Sequence, residues 1–302
     1  MTRTRVAAVV VAFGPPEPCL ACLESLRASE GVDCRAWVVD HNADPSGEVR
    51  VSIERTGGRY VHEPGNRGYA AGVNLGFRDA LRSGEWDLLM ALNADVRVAP
   101  SCLRELLRVF GSDPRIGLAG PGLLCEGEPA RWWNLGSDVE WPGARPRSLH
   151  HGEPAVVGDA APRDVGFVAG AALAVSPELF ARVGPLDEGY FLYFEDAEYS
   201  FRARSAGFRT VVCPAALAWH SGGGSTAGLG ARDAYWRTRS RLRFSRRWNP
   251  HPLRGALSRA SFVARQILRA LFCLTAREEA PATWACRGAL DYVFPTRAEA
   301  EH

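Results

Sequence analysis

The first 110 residues alternate short, β-branched apolar runs with segments of helical period, and that alternation limits the chain to few architectures. Val6 to Phe13 reads as a buried strand, Pro18 to Ser29 as a helix, and Cys34 to Asp40 as a strand closing on an acid. Asn66 to Arg82 is helical, Trp86 to Asn93 a strand, and Pro100 to Phe110 a helix. Strand and helix in alternation predict an α/β fold with a mostly parallel central sheet flanked by helices. In such sheets a ligand sits beyond the carboxyl ends of the strands, so Asp40 and Asn93 to Asp95 fall where one is expected.

The chain then changes character. Glu126 to Arg163 carries prolines and Trp132, Trp133 and Trp141 without a clean period, and reads as an irregular loop or hairpin region. Val165 to Val175 is small and apolar, Pro177 to Val183 a short helix, and Thr210 to Cys213 a further strand. From Ala234 onward the pattern is helical. Boundaries at 1–245 for a sheet domain and 246–302 for a helical extension follow.

All 36 basic residues are arginine, against 34 acids. Eleven arginines and a single acid, Asp233, lie between Arg232 and Arg269, so the rest of the chain is net acidic, which argues against a nucleic-acid partner. Leu253, Leu257, Ala260, Ala264, Ile267, Leu268 and Leu271 form one helical face, with Arg254, Arg265 and Arg269 on another. Such a basic amphipathic helix either docks its apolar face on the rest of the protein or lies on an anionic membrane surface. The eight cysteines show no paired spacing apart from Cys19 and Cys22, which fits a reducing cytosol without a disulfide framework. The N-terminal apolar run reads as a strand rather than a signal peptide, and no window reads as a transmembrane helix.

Three constellations carry chemistry. Strand-ending Asn93, Ala94 and Asp95 offer oxygen donors suited to a hard divalent cation that also grips phosphate, or form an ordinary turn. In Glu63 to Phe77, glycines recur around Asn66 and Asn74, and let a helix lie close to a sheet or ligand. Those glycines do not follow the first strand, so this is not the dinucleotide fingerprint, which argues against a hydride-transfer enzyme. Finally, YFLYFEDAEYSFR places Glu195, Asp196 and Glu198 behind a wall of aromatics. Those acids either face the positive end of a helix or are held partly desolvated for proton transfer.

Taken in order, Asp40, GNRGYAAGVNLG, LNADV, FVAGAALAV, FLYFEDAEYSFRARSAGF and AWHSGGGST make residues 5 to 245 resemble family 2 glycosyltransferases, most closely their bacterial rhamnosyltransferase-like branch. The resemblance implies a nucleotide-sugar-binding fold of the GT-A type and an inverting, single-displacement sugar transfer. It implies donor contacts from Ala12, Phe13, Asp40, Asn66, Gly68, Tyr69, Asn74, Asn93, Ala94 and Asp95. A divalent metal, Mg2+ or Mn2+, would be held by Asp95 and His220, with Ser225 and Thr226 beyond it toward phosphate. Asp196 would be the general base with Glu195 beside it. Gly170 and Ala171 would lie on the acceptor side, where Trp132, Trp133, His150 and His151 either stack on a sugar or pack back on the core. Asn93 stands where the family often has aspartate, and His41-Asn42-Ala43 depart from its usual residues after Asp40. The implied partners are a nucleotide-diphosphosugar, with dTDP-rhamnose the leading donor, and a glycan or polyprenyl-diphosphate-linked acceptor. A cytoplasmic protein, in peripheral contact with the inner membrane face, is expected. A glycosyltransferase decorating a small-molecule natural product, or a non-catalytic membrane-associated partner protein that keeps the fold, are the alternatives.

Overall fold

The computed structural model describes residues 4–45, 47–156, 158, 161–222, 229–275 and 281–294. The N-terminal alternation runs β1 (Arg5–Ala12), α1 (Pro16–Arg27), β2 (Asp33–Asp40), α2 (Gly47–Arg55), β3 (Arg59–His62), α3 (Tyr69–Ser83) and β4 (Leu88–Asn93). From Val6 to Ala12, β1 is buried on both faces, which is why it reads as a continuous apolar run rather than an alternating one. Pro16 opens α1 at a position where its missing N–H costs nothing. On α3 the small residues have a steric purpose: a Cβ at Gly76 would lie 2.3 Å from Val9 Cγ1, so only glycine lets the helix rest this close to β1.

The chain continues through β5 (Val96–Val98), α4 (Cys102–Ser112), β6 (Ile116–Leu124), β7 (Trp132–Asn134), β8 (Ser137–Glu140), β9 (Arg145–Ser148), β10 (Arg163–Asp164) and β11 (Ala172–Val175). Then follow α5 (Pro177–Val183), α6 (Glu195–Ser205), β12 (Arg209–His220), α7 (Arg232–Trp248), α8 (Pro252–Thr275) and α9 (Pro281–Val293). The main sheet has the order β10-β12-β6-β11-β4-β1-β2-β3. It is parallel from β3 to β4. Beyond β4, β11 runs antiparallel to both its neighbours, β4 and β6, while β6 and β12 are parallel to each other. The region expected to be irregular holds β7, on the edge of β6, and the β8–β9 hairpin.

Two apolar layers sandwich the sheet. Leu23, Ile53 and Leu106 from α1, α2 and α4 cover one face; Phe77, Leu179 and Tyr199 from α3, α5 and α6 cover the other. A third cluster, with Tyr190, Phe194 and Phe244, seats α7 against the start of α6. The expected division at residue 245 falls within α7, whose Phe244 and Ser245 are buried. Helix α9 lies tightly on α7, since a Cβ at Gly288 would be 2.5 Å from the Tyr235 carbonyl oxygen. Helix α8 meets α7 through one face only: Arg259 donates to the Ser245 carbonyl at 3.1 Å, and Arg241 stacks on Phe262 at 4.4 Å. Its leucine stripe does not dock on the sheet domain. Leu253 is 82% exposed, Leu257 71% and Leu268 65%. Among the described residues no helix is long and apolar enough to cross a membrane.

Candidate active site

Because β1 leads outward to β2 and β3 and the chain then crosses back to β4, the carboxyl ends of β1 and β4 mark a topological switch point. A cavity of about 400 Å³ opens there, between Phe13 and Asn93 on the sheet side and Glu195 and Asp196 at the start of α6.

The sheet builds one wall. Val11 pairs with Asn93, so Phe13 emerges beside the end of β4. Two residues later β5 pairs antiparallel with β12, with His220 opposite Val96. That register brings Asp95 and His220 together although they are far apart in sequence: Oδ1 and Nε2 are 3.3 Å apart, and both side chains are buried. The ring of Trp133 meets His220 edge to face, centroids 4.3 Å apart. His220 Nδ1 has no hydrogen-bond partner among the described residues.

The entry to α3 builds the second wall. Gly68 has φ +93°, and a Cβ there would lie 2.3 Å from the Phe191 carbonyl oxygen, so the backbone passes closer than any other residue allows. Tyr69 donates its N–H to that oxygen at 3.0 Å, and its hydroxyl to the Gly170 carbonyl at 2.5 Å.

The third wall is the turn into α6. Tyr193 and Phe194 both adopt φ +68°, a left-handed conformation that non-glycine residues avoid and that persists only under constraint. The constraint is visible. The Tyr193 hydroxyl bonds Asp233 of α7, the Arg237 guanidinium lies 3.9 Å over its ring, and Phe194 is held in the third apolar cluster. This turn presents Asp196 to the cavity, where its Oδ2 accepts from the Gly170 N–H at 2.8 Å and its Oδ1 from the Ala197 N–H at 2.7 Å.

Burial raises the pKa of Asp196 against the lowering effect of those backbone donors. Glu195 is pushed well above the usual carboxylate range, first by burial and then by the charge of Asp196; its Oε2 has no hydrogen-bond partner among the described residues. Glu198, the third acid of the motif, faces away. It is fully buried against Arg202 at 2.8 Å and Arg247 at 3.3 Å, a structural ion-pair cluster that ties α6 to α7. A cavity-facing carboxylate with a raised pKa is a stronger proton acceptor than an ordinary aspartate, and a displacement that uses one also needs a group to stabilise the charge that leaves.

Of the residues singled out by sequence, the cavity gathers Phe13, Asn66, Gly68, Tyr69, Asn93 and Asp95 with Trp133, Gly170, Ala171, Glu195, Asp196 and His220. Ala12, Asp40, Asn74, Ala94 and Trp132 are not among its lining residues. Asp40 is 1% exposed, and its oxygens accept from Tyr60 at 2.5 Å and from Asn42 at 2.8 and 2.9 Å. The Asn74 amide fastens α3 to Leu186 and Glu188. Trp132 packs back on the core beside Gly122, while His150 and His151 bond Glu153 and the Trp133 carbonyl. Ser225 and Thr226 lie outside the described residues. The lining residues to which the sequence assigns no site role include His41, Phe191, Tyr193 and Arg237. For Arg237 a signal existed, its spacing of four from Asp233 on a predicted helix.

Whether these side chains suit a divalent cation follows from their chemistry. No group of three or more His, Cys, Asp and Glu ligands is present among the described residues. The buried Asp95 carboxylate and the imidazole of His220 nevertheless form a half-shell at the cavity wall, which fits an ion whose remaining ligands are phosphate oxygens and water.

Comparison with known proteins agrees with this architecture. Over 245 residues the chain is 29% identical to an N-acetylglucosaminyl-diphospho-decaprenol L-rhamnosyltransferase of Mycobacterium tuberculosis, covering 72% of this chain and 76% of that one. It is 27% identical over 190 residues to a low-salt glycan biosynthesis hexosyltransferase, Agl10, of Haloferax volcanii, covering 61% of this chain and only 58% of that relative. In three dimensions it superposes on a mannosyltransferase of Pyrobaculum calidifontis in complex with GDP-Man and Mn2+, with a TM-score of 0.53 at 14% identity over 98% of this chain and 89% of that one. It also superposes on GalNAc-T7 with UDP, GalNAc and Mn2+, with a TM-score of 0.54 at 13% identity over 72% and 44%. The family profile described as "Glycosyltransferase like family 2" matches residues 4–248, and the chain belongs to that family.

Proposed function

We propose that the protein is an inverting glycosyltransferase that moves a deoxyhexose, L-rhamnose from dTDP-rhamnose first among candidates, onto a hydroxyl of a lipid-linked glycan at the inner face of the cell membrane. The observation that carries this reading is the placement of two separated acidic sites in one cavity, Asp95 with His220 on the sheet wall and Asp196 at the start of α6. A single displacement needs both.

In this reading Asp196 accepts the proton of the acceptor hydroxyl as its oxygen attacks the anomeric carbon, and the bond to the nucleoside diphosphate breaks. The Gly170 N–H holds the carboxylate in position, and burial keeps its pKa elevated, with Glu195 beside it. A divalent cation bound by Asp95 and His220 would neutralise charge on the diphosphate. Phe13, Asn66 and Tyr69 would border the donor side and the Gly170–Ala171 backbone the acceptor side, with Trp133 against His220 beside the cation.

The mycobacterial rhamnosyltransferase supports the choice of sugar and of a polyprenyl-diphosphate acceptor. A thermal-shift panel of thymidine, uridine and guanosine diphosphates and their sugars tests it. dTDP-rhamnose should give the largest shift, and a larger response to a guanosine or uridine sugar would reassign the donor.

A further inference from the structure

We infer that α8 is a membrane-docking helix that lies in the headgroup plane of an anionic bilayer. Leu253, Leu257, Ala260, Ala264, Leu268 and Leu271 follow one another at steps of three and four residues, and every one of them is exposed. Those steps confine them to about a quarter of the helix circumference. The opposite side, with Gly255, Gln266 and Ala270, is the one buried on the neighbouring helices. The apolar stripe therefore points away from the protein.

The chemistry of the borders selects the occupant. The 24 residues of α8 contain four arginines and no acid, and three of the arginines, Arg254, Arg265 and Arg269, run exposed along one edge of the stripe. An apolar stripe bordered by unopposed cations complements a surface that is oily below and anionic above, and a second copy of the same helix would set cation against cation. Since no described helix can span a bilayer, the helix lies on it. The same extension exposes Phe294 (72%) after α9. Docking here deepens the lipid-linked-acceptor reading, because it would hold the enzyme at the surface where such an acceptor resides.

Co-sedimentation of the full chain with vesicles, without donor or acceptor, tests the inference apart from catalysis. The protein should sediment with phosphatidylglycerol vesicles, be released by salt, and stay largely in the supernatant with pure phosphatidylcholine. Leu257→Glu with Leu268→Glu, both at exposed positions, should reduce partition at least tenfold with an unchanged melting temperature, and Arg265→Ser with Arg269→Ser by about tenfold. The double leucine variant should keep transfer to a short water-soluble acceptor at the wild-type rate. Equal sedimentation of wild type and the leucine variant, or no binding to anionic vesicles, overturns the inference. So does light scattering that finds a wild-type dimer dissociated by the leucine pair without vesicle binding, which assigns the stripe to a second copy. Absence of transfer by the wild type would overturn the catalytic reading and leave the vesicle result standing.

Discussion

Gly170 donates its N–H to Asp196 Oδ2 at 2.8 Å while its own carbonyl accepts from the Tyr69 hydroxyl at 2.5 Å, so one residue couples the α3 entry to the carboxylate at the start of α6. If Asp196 is the base, its loss should affect the chemical step and not the donor. Asp196→Asn is expected to lower kcat by about two to four orders of magnitude with donor affinity within about twofold of wild type. Steady-state rates and calorimetric titration with donor check this; an unimpaired variant would sink the assignment.

The raised pKa of Asp196 sets a pH dependence. The base acts only when ionised, so activity rises with pH as the carboxylate loses its proton, and a raised pKa moves that limb above the range of an ordinary aspartate. A kcat–pH profile should show the limb, and the residual activity of Asp196→Asn should lack it.

Glu195 carries a cost to the fold. Its folded-state pKa exceeds its unfolded value, so the folded chain binds the proton more tightly; stability is gained as pH falls through the folded pKa toward the unfolded one, and the penalty is complete above the folded pKa. Glu195→Gln is therefore expected to raise Tm at about pH 8, with the gain shrinking toward about pH 5. A variant less stable than wild type at the higher pH contradicts it.

Asp95 and His220 are expected to act on nucleotide only through a cation. Asp95→Ala should weaken nucleoside diphosphate binding in the presence of Mn2+ and leave it nearly unchanged in a chelator. Equal wild-type affinity with and without metal would argue for a metal-free site.

Gly68 permits the closest backbone approach at the cavity rim. Gly68→Ala places a methyl group against the Phe191 carbonyl at a positive φ, and is expected to cost roughly 1–3 kcal/mol of stability and to weaken donor binding. Denaturant unfolding and calorimetry read the two effects separately.

The strands β1, β2 and β4 were legible because strands covered on both faces leave uninterrupted apolar runs. The turn from Gly47 to His62 was not, since α2 and β3 are short and half exposed. Strand β6, IGLAGPGLL, was hidden by glycine and proline; each of Gly117, Gly120 and Gly122 sits where a neighbouring side chain fills the place of its Cβ. Motif order pointed to Asp95, His220 and Asp196, which converge on one cavity, but their meeting depends on the β5–β12 register, which no spacing encodes. Asp40 shows the converse: a strand-ending acid looks ligand-facing until Tyr60 and Asn42 are seen to occupy its oxygens.

The insertion of β11 between β4 and β6 bears on synthesis. As the chain leaves the ribosome, β4 is complete at Asn93, yet its second partner arrives only with Ala172 to Val175, and β12 later still. Until then the nascent protein carries an open, apolar sheet edge, the template on which strands of neighbouring chains pair. Fragments ending between β4 and β11 should aggregate in a translation extract, while chains extended past α7 should remain in solution, because the strand that covers the open β4 edge comes only from the second half of the chain.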